Sequence, residues 1–116
     1  PNENHIYVLS LPSGSAKSNE LKNKVANFNQ EFFSQENLDF TTTTVKGKKL
    51  FMIRTFKNEK QAMRYLRAIR NQVEIALQLK QEGGTDYLIS TENFKILFQT
   101  KKEEDYLEFF LEEYPS

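Results

Sequence analysis

Two stretches limit the folds open to this chain more than anything else in it: IYVLSL at Ile6–Leu11 and LFMIRTF at Leu50–Phe56. Each is an almost unbroken run of strand-forming residues. A run without strict polar alternation suits a strand inside a sheet, covered on at least one face. Pro12, Ser13 and Gly14 stop the first run. Ser18 reads as an N-cap with Glu20 in the first turn, and Leu21, Val25, Phe28 and Phe32 then follow at helical spacing as one buried stripe. The phenylalanines of VANFNQEFF are accordingly core rather than exposed stacking rings.

NLDFTTTTVKGKKLFMIRTF predicts two strands around a KGKK turn, with Gly47 supplying the permissive backbone. The first, about Leu38 to Val45, is threonine-rich and half polar, as an edge strand should be; the second is more apolar, as an interior strand should be. Asn58 caps a long helix, with Gln61 placed to bond back to the cap. Ala62, Leu66, Ile69, Val73, Ala76 and Leu77 form its inner stripe, and EGG at 82–84 ends it. Tyr87–Ser90 is a last short strand. STENFKILFQ makes a helical turn or two under a Ser90 or Thr91 cap. Thr100 and Glu103 form a capping box for a final helix along Tyr106, Phe109, Phe110 and Tyr114.

The order is strand, helix, strand, strand, helix, strand, with an extra C-terminal helix. That is the split β-α-β arrangement of an α+β, ferredoxin-like βαββαβ fold: a four-stranded antiparallel sheet backed by two helices. Such a topology puts the first and third strands in the middle, and those are the two most apolar ones here. Pattern and topology agree independently. At 116 residues the chain is expected to be a single domain, 1–116. It starts at Pro1 rather than a methionine, which reads as a processed or excised piece of a larger protein.

Composition excludes several functions. No cysteine is present, which removes thiolate catalysis, cysteine-ligated zinc and disulfides. No apolar run approaches the ~20 residues of a membrane-spanning helix. Sixteen basic and sixteen acidic residues cancel, so there is no overall pull toward nucleic acid. The charges are nevertheless segregated. Twelve Lys/Arg face five acids between Phe40 and Lys101, while six acids face one lysine from Lys102 onward. An acidic tail folding back on a basic middle is the simplest explanation.

No reaction can be read from the sequence, and the chain is expected to be non-enzymatic, with no cofactor and no metal site. His5 stands apart from any other histidine or nearby carboxylate, as an incidental surface residue does. Gly83 and Gly84 follow a helix rather than opening one, so they are no phosphate loop. Ser10, Ser13 and Ser90 lack a local nucleophile signature. Glu103–Glu104 and Glu112–Glu113 belong to a solvated helix face.

RNA-recognition domains share the topology, and IYVLSL approaches their first-strand motif with Ser10 in place of asparagine. The third-strand motif K/R-G-F/Y-G/A-F-V-x-F/Y fits less well. Lys49, Phe51 and Phe56 match; Leu50, Met52, Ile53 and Arg54 do not. Alternation sets Leu50, Met52, Arg54 and Phe56 on one face and Phe51, Ile53 and Thr55 on the other. The RNA-domain register would turn Arg54 into the core, where an unpaired guanidinium is expensive. The cheaper register buries Phe51 and Ile53, and Phe56 then needs a bulge or a strand end to find cover.

HIYVLSLP, FNQEFF, MIRTFKNEKQAMRYLRAI and YLISTENFKILFQTKKEEDYLEFFLEEY resemble the C-terminal domain of large tetratricopeptide-repeat lipoproteins of Bacteroidota. That group includes the gliding-motility and type IX secretion-associated lipoprotein. The resemblance spans essentially the whole chain. Its most particular parts are FN followed by paired aromatics, the F.N...A..Y pattern from Phe56 to Tyr65, and IS..NF from Ile89 to Phe94. The family domain is similar in layout to SPOR domains, which bind peptidoglycan glycan strands on an open sheet face. The resemblance implies a periplasmic module, tethered to the outer membrane through the rest of the protein and working through protein partners of the cell envelope or through peptidoglycan. The aromatic final helix departs from the SPOR layout, since such a helix can lie over the sheet surface those domains use.

Two contact surfaces are therefore candidates. One is Tyr7 with Met52 and Arg54 on an open face of the central strands, which needs the final helix to leave that face free. The other is the strip Arg64, Arg67 and Arg70 along the long helix, suited to an anionic partner, and it is preferred. Protein scaffolding leads, followed by glycan binding and then by single-strand RNA binding.

Overall fold

In the computed structural model, which describes residues 3–115, the two apolar runs lie side by side in the middle of one antiparallel sheet. β1 (His5–Pro12) is followed by α1 (Ser18–Phe32), a 3-10 turn at Ser34–Glu36, β2 (Asp39–Val45) and β3 (Lys48–Phe56). Then come α2 (Glu59–Arg70), α3 (Val73–Gln81), β4 (Thr85–Ser90), α4 (Thr91–Thr100) and α5 (Glu103–Glu113). The strand order is β2-β3-β1-β4, so this is an α+β protein whose first and third strands are central and whose second and fourth are edges.

Both faces of the sheet are covered, which explains why IYVLSL carries no apolar–polar alternation. Tyr7 pairs with Ile53 and Leu88, and the Tyr7 ring meets Tyr65 of α2 at 5.1 Å, so this set looks toward α1 and α2. Val8 pairs with Met52 and Tyr87 on the opposite face, where Tyr87 packs on Tyr106 and Phe110 of α5. Tyr65 centres an aromatic cluster with Tyr7, Phe28, Phe33 and Phe56, and its hydroxyl donates to Asn29 Oδ1. Phe51 and Ile53 are buried as their register requires. Phe56 finds cover by a bulge: His5 opposes Phe56 while Tyr7 opposes Ile53, so Arg54 and Thr55 together face Ile6.

Asn58 caps α2 by accepting from the Gln61 amide at 2.8 Å, and the Gln61 side chain returns to the Lys57 amide at 2.7 Å. Ser90 caps α4 through the Asn93 amide. The other two expected caps are absent. Ser18 sits inside α1 and accepts from Lys49 Nζ, and the Thr100–Glu103 box is replaced by contacts of Glu103 across the sheet.

The long helix expected over 58–82 is two helices. Asn71 ends α2 and Gln72 is extended (φ −84°, ψ 101°), which resets the helical phase. Ile75 and Gln78 turn inward on α3, leaving Val73 66% and Leu77 54% exposed, against the single stripe expected. Gln78 is held by Lys24 Nζ at 2.6 Å and by the Lys17 carbonyl at 3.3 Å, which ties α3 to α1.

Candidate functional site

The expected open sheet face is closed. Tyr7 lies on the α1/α2 side and is buried, its hydroxyl donating to Asp86 Oδ2 at 2.8 Å. Burial first, and the Asp86 charge second, hold that hydroxyl well above the ordinary tyrosine pKa. Met52 does face the other way, but it is buried with Ile6, Val8, Leu50 and Ile89 beneath α4 and α5. Arg54 is half-buried at the bulge, opposite Asp39. These three residues do not come together as a surface: Tyr7 stands on the α1/α2 side, and the final helix does not leave the other face free, as the expectation required.

The helical strip divides. Arg70 is committed to Asp86, with Nη2–Oδ1 at 2.8 Å and Nε 3.2 Å from both carboxylate oxygens. Partial burial lowers the Arg70 pKa, but the Asp86 bond and charge outweigh it and the net shift is upward. This arginine braces Tyr7 and Asp86 rather than offering itself to a partner. Arg64 and Arg67 are exposed, and no carboxylate lies within ion-pair distance of either among the described residues.

Lys57 and Lys60 extend this free pair. The four cations, with Asn58 and Gln61, line a shallow groove of about 540 Å³ along the start and outer flank of α2. Lys60, Arg64 and Arg67 recur at the spacing that keeps one helical face, over roughly 10 Å of axis. Sequence reasoning found the arginines and missed the lysines, although Lys57, Lys60, Arg64 and Arg67 follow the same helical period. The row can hold carboxylates or phosphates by charge, and its guanidinium groups can do so bidentately. It holds no nucleophile–base pair.

The carboxylates of α5 do not neutralise it. Glu104, Asp105, Glu108, Glu112 and Glu113 are exposed, with no cation within 4.0 Å among the described residues. The tail does fold back, anchored by Tyr106 and Phe110. Its Glu103, Glu104 and Asp105 line a groove with Lys46, Lys48, Lys101 and Lys102, so acid lies against base there without an ion pair among the described residues. Glu103 departs from the solvated-face expectation: it accepts from Ser10 Oγ at 3.1 Å and Tyr87 Oη at 2.7 Å. His5 is likewise buried rather than incidental to the surface. Its Nδ1–H donates to the Glu3 carbonyl at 2.8 Å, so Nε2 accepts from the Tyr114 hydroxyl at 2.9 Å.

Among the described residues no group of three or more His, Asp or Glu is arranged to hold a metal ion, and no helix is long and apolar enough to cross a membrane. Neither protein-family models nor curated proteins nor solved structures give a match to this chain.

Proposed function

We propose that this domain is a non-enzymatic interaction module that docks an anionic protein partner along the flank of α2. The observation that carries the proposal is the unneutralised row Lys57, Lys60, Arg64 and Arg67, exposed on a rigid capped helix. A preformed cationic row raises the encounter rate with an acidic surface and fixes its orientation. We read the fold as ferredoxin-like, the β2-β3-β1-β4 order being that of the split β-α-β unit, with α3, α4 and α5 as additions.

The resemblance to Bacteroidota tetratricopeptide-repeat lipoproteins supports an envelope setting: a periplasmic domain held at the outer membrane by the rest of its chain, with partners in type IX secretion or gliding. Glycan binding and single-strand RNA binding both use a bare sheet face, and the burial of Val8, Leu50, Met52 and Tyr87 leaves them with less support.

The test is recovery of partners from a Bacteroidota envelope extract by the immobilised domain. The double variant Arg64→Glu/Arg67→Glu should lose the bound proteins while keeping the circular dichroism and melting temperature of the parent. Equal recovery by parent and variant would overturn the assignment. Co-sedimentation with cell-wall sacculi, unaffected by the same variant, would favour glycan binding instead.

A further inference from the structure

The two edges of the sheet are treated differently. On β4 the outward carbonyls are occupied: Tyr106 Oη donates to Leu88 O at 2.5 Å, and Arg70 Nη2 approaches Asp86 O at 3.5 Å. No such cover exists on β2 among the described residues. Lys46 and Gly47 form a two-residue turn, both at positive φ (42° and 79°), so Val45 and Lys48 are the hydrogen-bonded pair that closes the hairpin. Alternation then directs the main-chain groups of Asp39, Thr41, Thr43 and Val45 to β3, and those of Phe40, Thr42 and Thr44 away from the sheet. Thr42 and Thr44 are exposed, and the strand has no proline, no glycine and no central charge to repel a neighbour.

We infer that β2 pairs antiparallel with β2 of a second copy, about a two-fold axis at Thr42, to give one continuous eight-stranded sheet. The proposal is independent of the α2 groove. With Thr42 opposite Thr42 and Phe40 opposite Thr44, three outward residues per copy form about six main-chain hydrogen bonds. Charge selects this arrangement. β2 begins at Asp39, with Glu36 just before it, and runs into Lys46 of the turn, so antiparallel self-pairing sets acid against base at both ends, whereas parallel pairing opposes like charges. The neighbouring charges, Arg54 opposite Asp39 and Glu104 and Asp105 in the groove with Lys46, form no ion pair with them among the described residues. Zero net charge imposes no long-range repulsion between copies. Threonine on both faces of the strand offers no pocket for a foreign peptide's side chains, and self-pairing requires none. A contact one strand wide falls below the ~1,200 Å² of stable interfaces, so the dimer is weak and concentration-dependent.

Sedimentation equilibrium of the purified chain from roughly ten micromolar to one millimolar should show monomer giving way to dimer. Thr42→Pro removes only an outward N–H, so the β3 ladder survives while dimer is lost at every concentration. Lys46→Asp should weaken association about tenfold, and adding Asp39→Lys should restore it. If Thr42→Pro fails to fold, amide exchange in the parent decides: Phe40, Thr42 and Thr44 should gain protection with concentration, while Thr41 and Thr43 are protected throughout. A parent that is monomeric at every concentration, a dimer that Thr42→Pro leaves intact, or exchange at those three amides unaltered by dilution would each overturn the inference.

Discussion

Tyr106, in α5, donates its hydroxyl proton to the main-chain carbonyl of Leu88, in β4, across eighteen residues of sequence. The bond ties the last helix to an edge strand and satisfies a carbonyl that would otherwise lack a partner. Tyr106→Phe keeps the ring against Tyr87 and removes only this bond, so it should cost about 1–2 kcal/mol. Urea unfolding should show a lower midpoint with an unchanged slope.

The carboxylate of Glu103 answers two buried hydroxyls, Ser10 and Tyr87, on different strands. Glu103→Ala leaves both donors without an acceptor and should cost about 2 kcal/mol or more, whereas Glu103→Gln keeps one acceptor oxygen and should lose roughly half as much. In a double-mutant cycle, Ser10→Ala should be less damaging in the Glu103→Ala background than in the parent.

Adjacent glycines at the end of α3 should respond in opposite proportion to their local space. Gly83 is at φ +74°, and an added Cβ would meet only Pro12 at 3.9 Å. Gly84 has an ordinary φ, but a Cβ there would lie 2.6 Å from Leu11 and Leu79 side chains and 2.7 Å from the Ser10 carbonyl. Gly83→Ala should cost about 1 kcal/mol through its left-handed backbone. Gly84→Ala should cost about 2–3 kcal/mol through overpacking against a central strand that cannot yield. Thermal melts of the two variants check the order.

Alkaline pH should unfold the domain in one step. All five tyrosines have pKa values raised in the folded state, burial being the largest cause in each. Unfolded tyrosine ionises near ~10, so below that pH both states keep their protons and stability is undiminished. Above it the unfolded chain releases protons that the native state retains, and stability falls as pH rises. Tyrosinate absorbance should therefore appear together with loss of circular dichroism; tyrosinate formed while the fold persists would contradict the burial described.

What was legible in the sequence was the sheet. The central strands, the KGKK turn, the Asn58 cap, a Ser90 or Thr91 cap and the need for a bulge or a strand end at Phe56 are all local signals. Three things were not. The α2–α3 break occurs at Asn71–Gln72, which carries neither proline nor glycine, and only the inward turn of Gln78 reveals the change of phase. The side on which Tyr7 stands was hidden because an apolar run covered on both faces does not mark its faces. Glu103 looked solvated because its partners, Ser10 and Tyr87, are distant in sequence. Of the candidate site, the free guanidinium groups were visible as helical spacing, while the commitment of Arg70 to Asp86 depends on where β4 falls.

Since helices occupy both broad sides of the layer, whatever pairs with the sheet itself is met at its free edge, along a line rather than over an area. Linear contacts grow with length and copy number more than with depth, so strength would come from tethering many domains close together. Through that edge a single isolated copy should bind poorly, and an array of copies well.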